Sequence, residues 1–231
     1  MKILDYVVSE TFLQAAATTL GLTALSMALG VAGGLVLALA KASHLGPARW
    51  VADSYIWLFR GTPVLLQLLF VFNVLPLWGI SLSSFTCAVI ALSLNEAAYM
   101  AEIIRGGLLG VDQGQRTVSR MLGLNERQIL RWVVLPQATR LVLPPTGNQF
   151  IGMLKTSALA SVVAVQDLLL SAQRIAAANF DYVNTLVAAA VHYLLLTTLF
   201  TLAINVLERR LDVARRARRR ARSDAGAEVL A

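Results

Sequence analysis

The chain has 231 residues, 57% of them hydrophobic and only 14% charged, with a mean hydropathy of +0.67. A soluble domain carries roughly 25% charged residues, so this composition excludes an ordinary water-soluble globule and fits a single membrane-embedded domain. The net charge of +7 does not mark a nucleic-acid binder: Arg209 to Arg222 carries eight arginines directly after a long apolar run, with no aromatic residue for base stacking.

In chain order, Met1 to Thr11 carries Lys2, Asp5 and Glu10 rather than a basic leader, so no secretory signal peptide is expected. About 20 apolar residues cross a bilayer core roughly 30 Å thick. The uncharged stretch between Glu10 and Lys41 predicts the first span, in which Gly30 and Gly34, four apart, let a neighbouring helix approach. Gly61 to Asn95 is uncharged too, too long for one span and too short for two, and Asn73, Pro76, Trp78, Gly79 and Ser81 supply turn chemistry at its centre. A second span is therefore predicted over about 54–74 and a third over about 85–109. The fourth starts near Arg140 and passes Lys155, and the fifth runs from Tyr182 to Leu207, against Arg209 and Arg210. The lone cysteine, Cys87, excludes an internal disulfide and reads as a small buried residue.

Charge sets the orientation. The Arg105 to Arg140 segment holds six arginines against Asp112 and Glu126, and Lys41 and Arg49 outnumber Asp53 in the first short loop. Met1 to Thr11 and Ala158 to Asp181 are each net acidic. Basic loops stay cytoplasmic, so five spans put the N-terminus outside and the C-terminus inside.

The linker over 106–139 is far longer than the 2–8 residues that join packed helices. Gly114 is expected to break the chain before a short helix over about 115–122, closed by Gly123 as a left-handed stop. A second helical pattern, Glu126 to Val134, is expected to end at Leu135-Pro136. With Arg116, Arg120 and Arg127 around it, the short helix reads as a knob for a partner's groove.

Asn95-Glu96-Ala97-Ala98-Tyr99-Met100-Ala101-Glu102-Ile103-Ile104-Arg105-Gly106 resembles the third span of the permeases of polar amino-acid ABC importers. The likeness continues through Gly114-Gln115, Leu122-Gly123-Leu124, Leu135-Pro136-Gln137-Ala138 and Gly147-Asn148-Gln149-Phe150 to Met153-Leu154-Lys155, and Arg60-Gly61-Thr62-Pro63 resembles the second-span signature. The resemblance implies an all-α, five-span permease domain over 1–208 in a bacterial inner membrane, with a cytoplasmic coupling loop over 106–139 and an arginine-rich tail over 209–231. It further implies that Gly114, Gln115, Arg116, Thr117, Val118, Ser119, Arg120, Leu122 and Gly123 form a coupling helix that seats in a separate ATPase subunit. Two such ATPases, a second permease chain and an extracytoplasmic amino-acid-binding protein are the implied partners, with lipid around them. Thr117-Val118-Ser119 stands where the family usually has Glu-Ala-Ala, and Asp112 where it has proline. The sequence contains no G-x-x-x-x-G-K-[ST] phosphate loop, no metal-ligand spacing and no nucleophile-base arrangement, so neither an enzyme nor a cofactor is expected. An ion-gradient-driven carrier is the main alternative, although no internal duplication is visible. A non-transport scaffold leaves the long loop unexplained.

Ionisable residues inside spans are functional candidates. Lys155, Asn148, Gln149, Glu96 and Asn95 are the candidates for the pathway. Asn95, Tyr99, Glu102 and Gly106 share one helical face; Glu96 is read on another, bonded to Gln67 or Arg60 or facing the pathway. Glu102 and Arg105 are expected to pair locally. Lys155 either anchors at the outer interface or meets a substrate carboxylate, and His192 reads as a packing residue.

Overall fold

A computed structural model describes residues 2–211; the arginine-rich tail expected as a separate segment lies outside the described residues from 212 onward. The described chain is helical. Helix α1 (Lys2–Val7) leads into α2 (Glu10–Ala42), which Ser9 starts by accepting the Phe12 N–H. Next come α3 (Gly46–Gly61), α4 (Val64–Val74) with a 3-10 turn over Leu75–Trp78, and α5 (Ser84–Leu109), capped by Ser83. A short helix α6 (Gln113–Met121) precedes α7 (Glu126–Gln128), a π-helical segment Ile129–Val134 and α8 (Leu135–Thr156). A 3-10 stretch Ser157–Val163, α9 (Leu168–Asn179) and α10 (Tyr182–Leu211) complete it.

Three of these helices, Glu10–Ala42, Ser84–Leu109 and Tyr182–Arg209, are each long and apolar enough to cross a membrane, and two bent pairs bring the number to as many as five. The expected second span is not one straight helix. It breaks at Thr62-Pro63, where α3 and α4 meet at 102°. The residue before a proline is pushed out of helical geometry, and Thr62 is extended at φ −116°, ψ 147°. The expected stop at Leu135-Pro136 is also absent. The π turn takes the chain past Pro136, with the Leu135 N–H bonded to the Leu130 carbonyl, five residues back. A wide turn needs no i→i−4 bond at the proline nitrogen. The bend on this side comes later, 49° between the stretch ending at Val163 and α9.

Lipid removes the hydrophobic drive between helices, so van der Waals packing holds them together and small residues make the seams. The largest seam is α2 against α5. A Cβ added at Gly34 falls 2.5 Å from the Met100 Cβ, 2.9 Å from the Ala101 nitrogen and 3.0 Å from the Ala97 carbonyl oxygen. Backbone atoms cannot turn aside, so the crossing tolerates only glycine there. Thr19 of α2 is satisfied locally and ties α9 to α2: its Oγ1 donates to the Ala15 carbonyl (3.0 Å) and accepts the Leu168 N–H (3.1 Å). His192 packs as expected, stacked on Phe12 with ring centroids 5.5 Å apart and Nδ1 donating to the Ala188 carbonyl at 2.9 Å.

Gly34→Leu is expected to cost about 3 kcal/mol by overpacking, read as a lowered thermal unfolding midpoint of the purified membrane protein. Gly21, also in α2 but with nothing within 4 Å of an added Cβ, is the control: Gly21→Ala should hold or slightly raise the midpoint. Equal midpoints for the two variants would contradict this account of the seam.

Candidate functional site

A cavity of about 380 Å³ opens between α4, α5 and α8. From α5 it takes Leu92, Asn95, Glu96 and Tyr99, and from α8 Gln149, Gly152, Met153 and Thr156. Both sets follow i, i+3, i+4, i+7 spacing, one face of each helix. The third wall is Thr62, Pro63 and Val64, so the α3–α4 break itself faces the cavity. Without the 102° bend, α4 would continue the line of α3 and this wall would be lost.

Hydrogen bonds brace the break. Gln67 Nε2 donates to the Phe59 carbonyl at 2.9 Å and to Thr62 Oγ1 at 2.8 Å. Asn95 Nδ2 donates to the same Phe59 carbonyl at 3.0 Å and to Gln67 Oε1 at 3.1 Å. A broken helix inside apolar surroundings exposes carbonyls that must be satisfied, and these two amides meet that need. Arg60 sits over the Tyr99 ring, 5.2 Å from its centre, a cation–π contact. Glu96 is buried, with Oε2 accepting from Gln149 Nε2 at 3.1 Å. At the Lys41 end of α2, Lys41 Nζ bridges Asp53 (2.8 Å) and Glu102 (2.9 Å), and Arg105 pairs with Glu102 at 2.8 Å. This four-residue network joins α2, α3 and α5.

Helix α6 is built separately. Asp112 caps it, accepting the Gly114 N–H at 2.7 Å. Gly114 thus lies in the first turn rather than before it. The helix ends at Gly123, whose φ of +80° is the left-handed conformation that favours glycine. Ser119 is buried and Arg116 is half-buried, donating to the Leu108 carbonyl at 3.4 Å. Val111, Ile129, Val134 and Ala138 form a small core beneath α6. The outer face is bare: Val118 is 57% exposed, Met121 81% and Leu122 76%, beside exposed Gln115, Thr117 and Arg120. Arg120 Nε donates to Glu126 at 2.7 Å, and that bond holds the Glu126 carboxyl below the usual carboxylate range.

Residues 30–213 match the family model for the binding-protein-dependent transport system inner membrane component. The chain belongs to that family. The L-cystine transport system permease protein TcyB of Bacillus subtilis (strain 168) is 41% identical to this permease, over 84% of this chain and 83% of TcyB. The arginine transport system permease protein ArtQ of the same organism is 38% identical, over 86% and 91% of the two chains. Among solved structures, an amino acid ABC transporter crystallised with histidines superposes with a TM-score of 0.83 at 41% identity, covering 87% of this chain and 94% of that one. The MetNI methionine ABC transporter shares the fold, with a TM-score of 0.72 at 21% identity and coverage of 88% and 99%. This chain is accordingly an inner-membrane ABC transport permease.

Three of the five pathway candidates of the permease, Asn95, Glu96 and Gln149, come together in the cavity wall. Glu96 is not on a separate face from Asn95 and Tyr99, and its partner is Gln149 rather than Gln67 or Arg60. The other two, Asn148 and Lys155, are exposed and lie seven residues apart on the α8 stripe beside the cavity face, next to Gly152. Sequence reasoning missed the cavity's third wall, Thr62 and Pro63, whose signal was the proline itself. It also missed Asp167, which is fully buried and caps α9 by accepting the Leu170 N–H at 2.9 Å.

Proposed function

We propose that this permease is the membrane-spanning subunit of an ATP-driven importer of polar amino acids. It works with two ATPase subunits, a second permease chain as homodimer or heterodimer, and an extracytoplasmic amino-acid-binding protein. Each bent helix pair counts as one span, giving five, and the basic Arg105 to Arg140 segment puts the N-terminus outside and the C-terminus inside. The class of substrate follows the relatives, whose names give cystine and arginine.

The observation that carries this reading is α6. A nine-residue helix with Val118, Met121 and Leu122 uncovered at its tip, seated on its own small core, is fit to enter a partner's apolar cleft. A knob bonded to α5 through Arg116 and seated on the π segment that runs on into α8 passes a rotation of that partner to two walls of the cavity. Thr117 replaces the family's glutamate on the exposed face, so the partner contact here is less charged than usual. The cavity on Asn95, Glu96 and Gln149 is the translocation pathway. Asn148 and Lys155, on the adjoining stripe, face its continuation against the second permease chain.

Gly123→Val should uncouple the complex. A side chain in left-handed geometry costs roughly 1–2 kcal/mol and re-aims the knob, so uptake should be lost while the chain still inserts; normal uptake and normal substrate-stimulated ATP hydrolysis would contradict the coupling role. Lys155→Met should insert and assemble normally with sharply reduced uptake, and Lys155→Arg should keep part of it. Unchanged rate and apparent affinity in the methionine variant would reduce Lys155 to an interfacial anchor.

A further inference from the structure

Glu96 brings a carboxylate to the cavity wall, and among the described residues no basic side chain lines that wall. The residue is 1% exposed, and none of the ion pairs among the described residues includes it. Gln149 supplies one neutral N–H to Oε2, whereas Oε1 has no hydrogen-bond partner. A buried carboxylate so poorly matched is costly. Its stem is pinned, because a Cβ added at Gly30 would lie 2.5 Å from the Glu96 Cγ; the two helices meet there with no room to spare. The acid is therefore held at the wall with one of its two oxygens unpartnered.

Asn95, one residue away on the same wall, has a fixed orientation as well. Both groups it contacts, the Phe59 carbonyl and Gln67 Oε1, are acceptors, so its amide nitrogen must face them. Its own Oδ1 remains as an acceptor. The wall thus offers three oxygens without a strong donor: both carboxylate oxygens of Glu96 and the amide oxygen of Asn95. A group with several donors and a positive charge completes this set, adding to its hydrogen bonds a charge pairing that the neutral Gln149 amide cannot supply.

We infer that Glu96 receives the ammonium group of an amino acid passing through the cavity, with Asn95 Oδ1 as a further acceptor. The ammonium displaces the Gln149 amide from Oε2 and meets the unpartnered Oε1. Gln149, half-exposed on the cavity face of α8, swings aside as a lid over the carboxylate and covers it again when the site empties. This inference rests on the reading of the cavity as the translocation pathway.

The test uses the complex with its ATPase subunits, in lipid nanodiscs and without the binding protein, which would otherwise contribute its own recognition. Each proteinogenic amino acid, and cystine, is screened for equilibrium binding, and the best binder is compared with its 2-hydroxy acid, which lacks only the ammonium. Wild type should bind the hydroxy acid at least about tenfold more weakly. Glu96→Gln should bind the amino acid about tenfold more weakly than wild type and discriminate between the two compounds less than about twofold; Glu96→Asp should retain part of both effects. If Asn95→Ala or Gln149→Ala weakens binding while Glu96→Gln binds and discriminates as wild type does, the ammonium role is overturned and the pathway stands. If no amino acid binds wild type, or no wall substitution alters binding, the pathway reading fails and the inference with it. Equal binding of amino acid and hydroxy acid to wild type overturns the ammonium role without any variant.

Discussion

The close crossing of α2 and α5 at Gly30 and Gly34 is the constraint on which the rest depends. In lipid, two helices gain from contact only as far as their atoms approach, and here the approach leaves no space for a single added carbon. That proximity fixes the rotation of α5. One side of α5 is committed to α2 through Ala97, Met100 and Ala101, so Asn95 and Tyr99 must face the other way, toward α4 and α8. Glu96 lies where the two directions meet, its stem against Gly30 and its carboxylate on the cavity wall. The acid is buried because the seam is tight.

Around this seam the chain uses interrupted helices. A break inside a membrane is tolerated only where its released backbone groups find partners. Gln67 and Asn95 provide them at the Phe59-to-Pro63 break. Asn95 also lines the cavity, so one residue serves both the brace for the fold and the polar lining of the site. At the other end, the π turn before Pro136 lets the helical run from α7 continue into α8, so the support of α6 and the cavity wall are a single continuous element. The Lys41, Asp53, Glu102 and Arg105 network joins α2, α3 and α5 by charge rather than by close packing.

The sequence made some of this legible and not the rest, for physical reasons. Span-length apolar runs and the charge on each loop are one-dimensional signals, and α2, α5 and α10 follow them. The αL stop at Gly123 was readable because it depends on one residue type at one place. Continuity was harder to read. The dip at Arg60-Gly61-Thr62-Pro63 is short enough to be averaged into a span-length apolar window, and Pro63 is its one sharp signal; at Pro136 the same residue type produced no break, because a π turn absorbed it. The pairing of Glu96 with Gln149 joins positions 53 residues apart. Reading Asn95, Tyr99, Glu102 and Gly106 as one stripe left Glu96 on another face, although Leu92, Asn95, Glu96 and Tyr99 follow i, i+3, i+4, i+7 spacing and share the cavity wall. Helix α9 was hidden within a segment read as a loop, although Asp167 stands at its start in a capping position.

We propose that a separate ATPase, rather than an ion gradient, drives this permease. The most direct measurement is amino-acid uptake into vesicles carrying the reconstituted complex and its binding protein, with ATP inside, compared with vesicles that have no ATPase subunits but a proton or sodium gradient. The account predicts uptake only in the first. Uptake that persists without the ATPase, following the gradient, would contradict it.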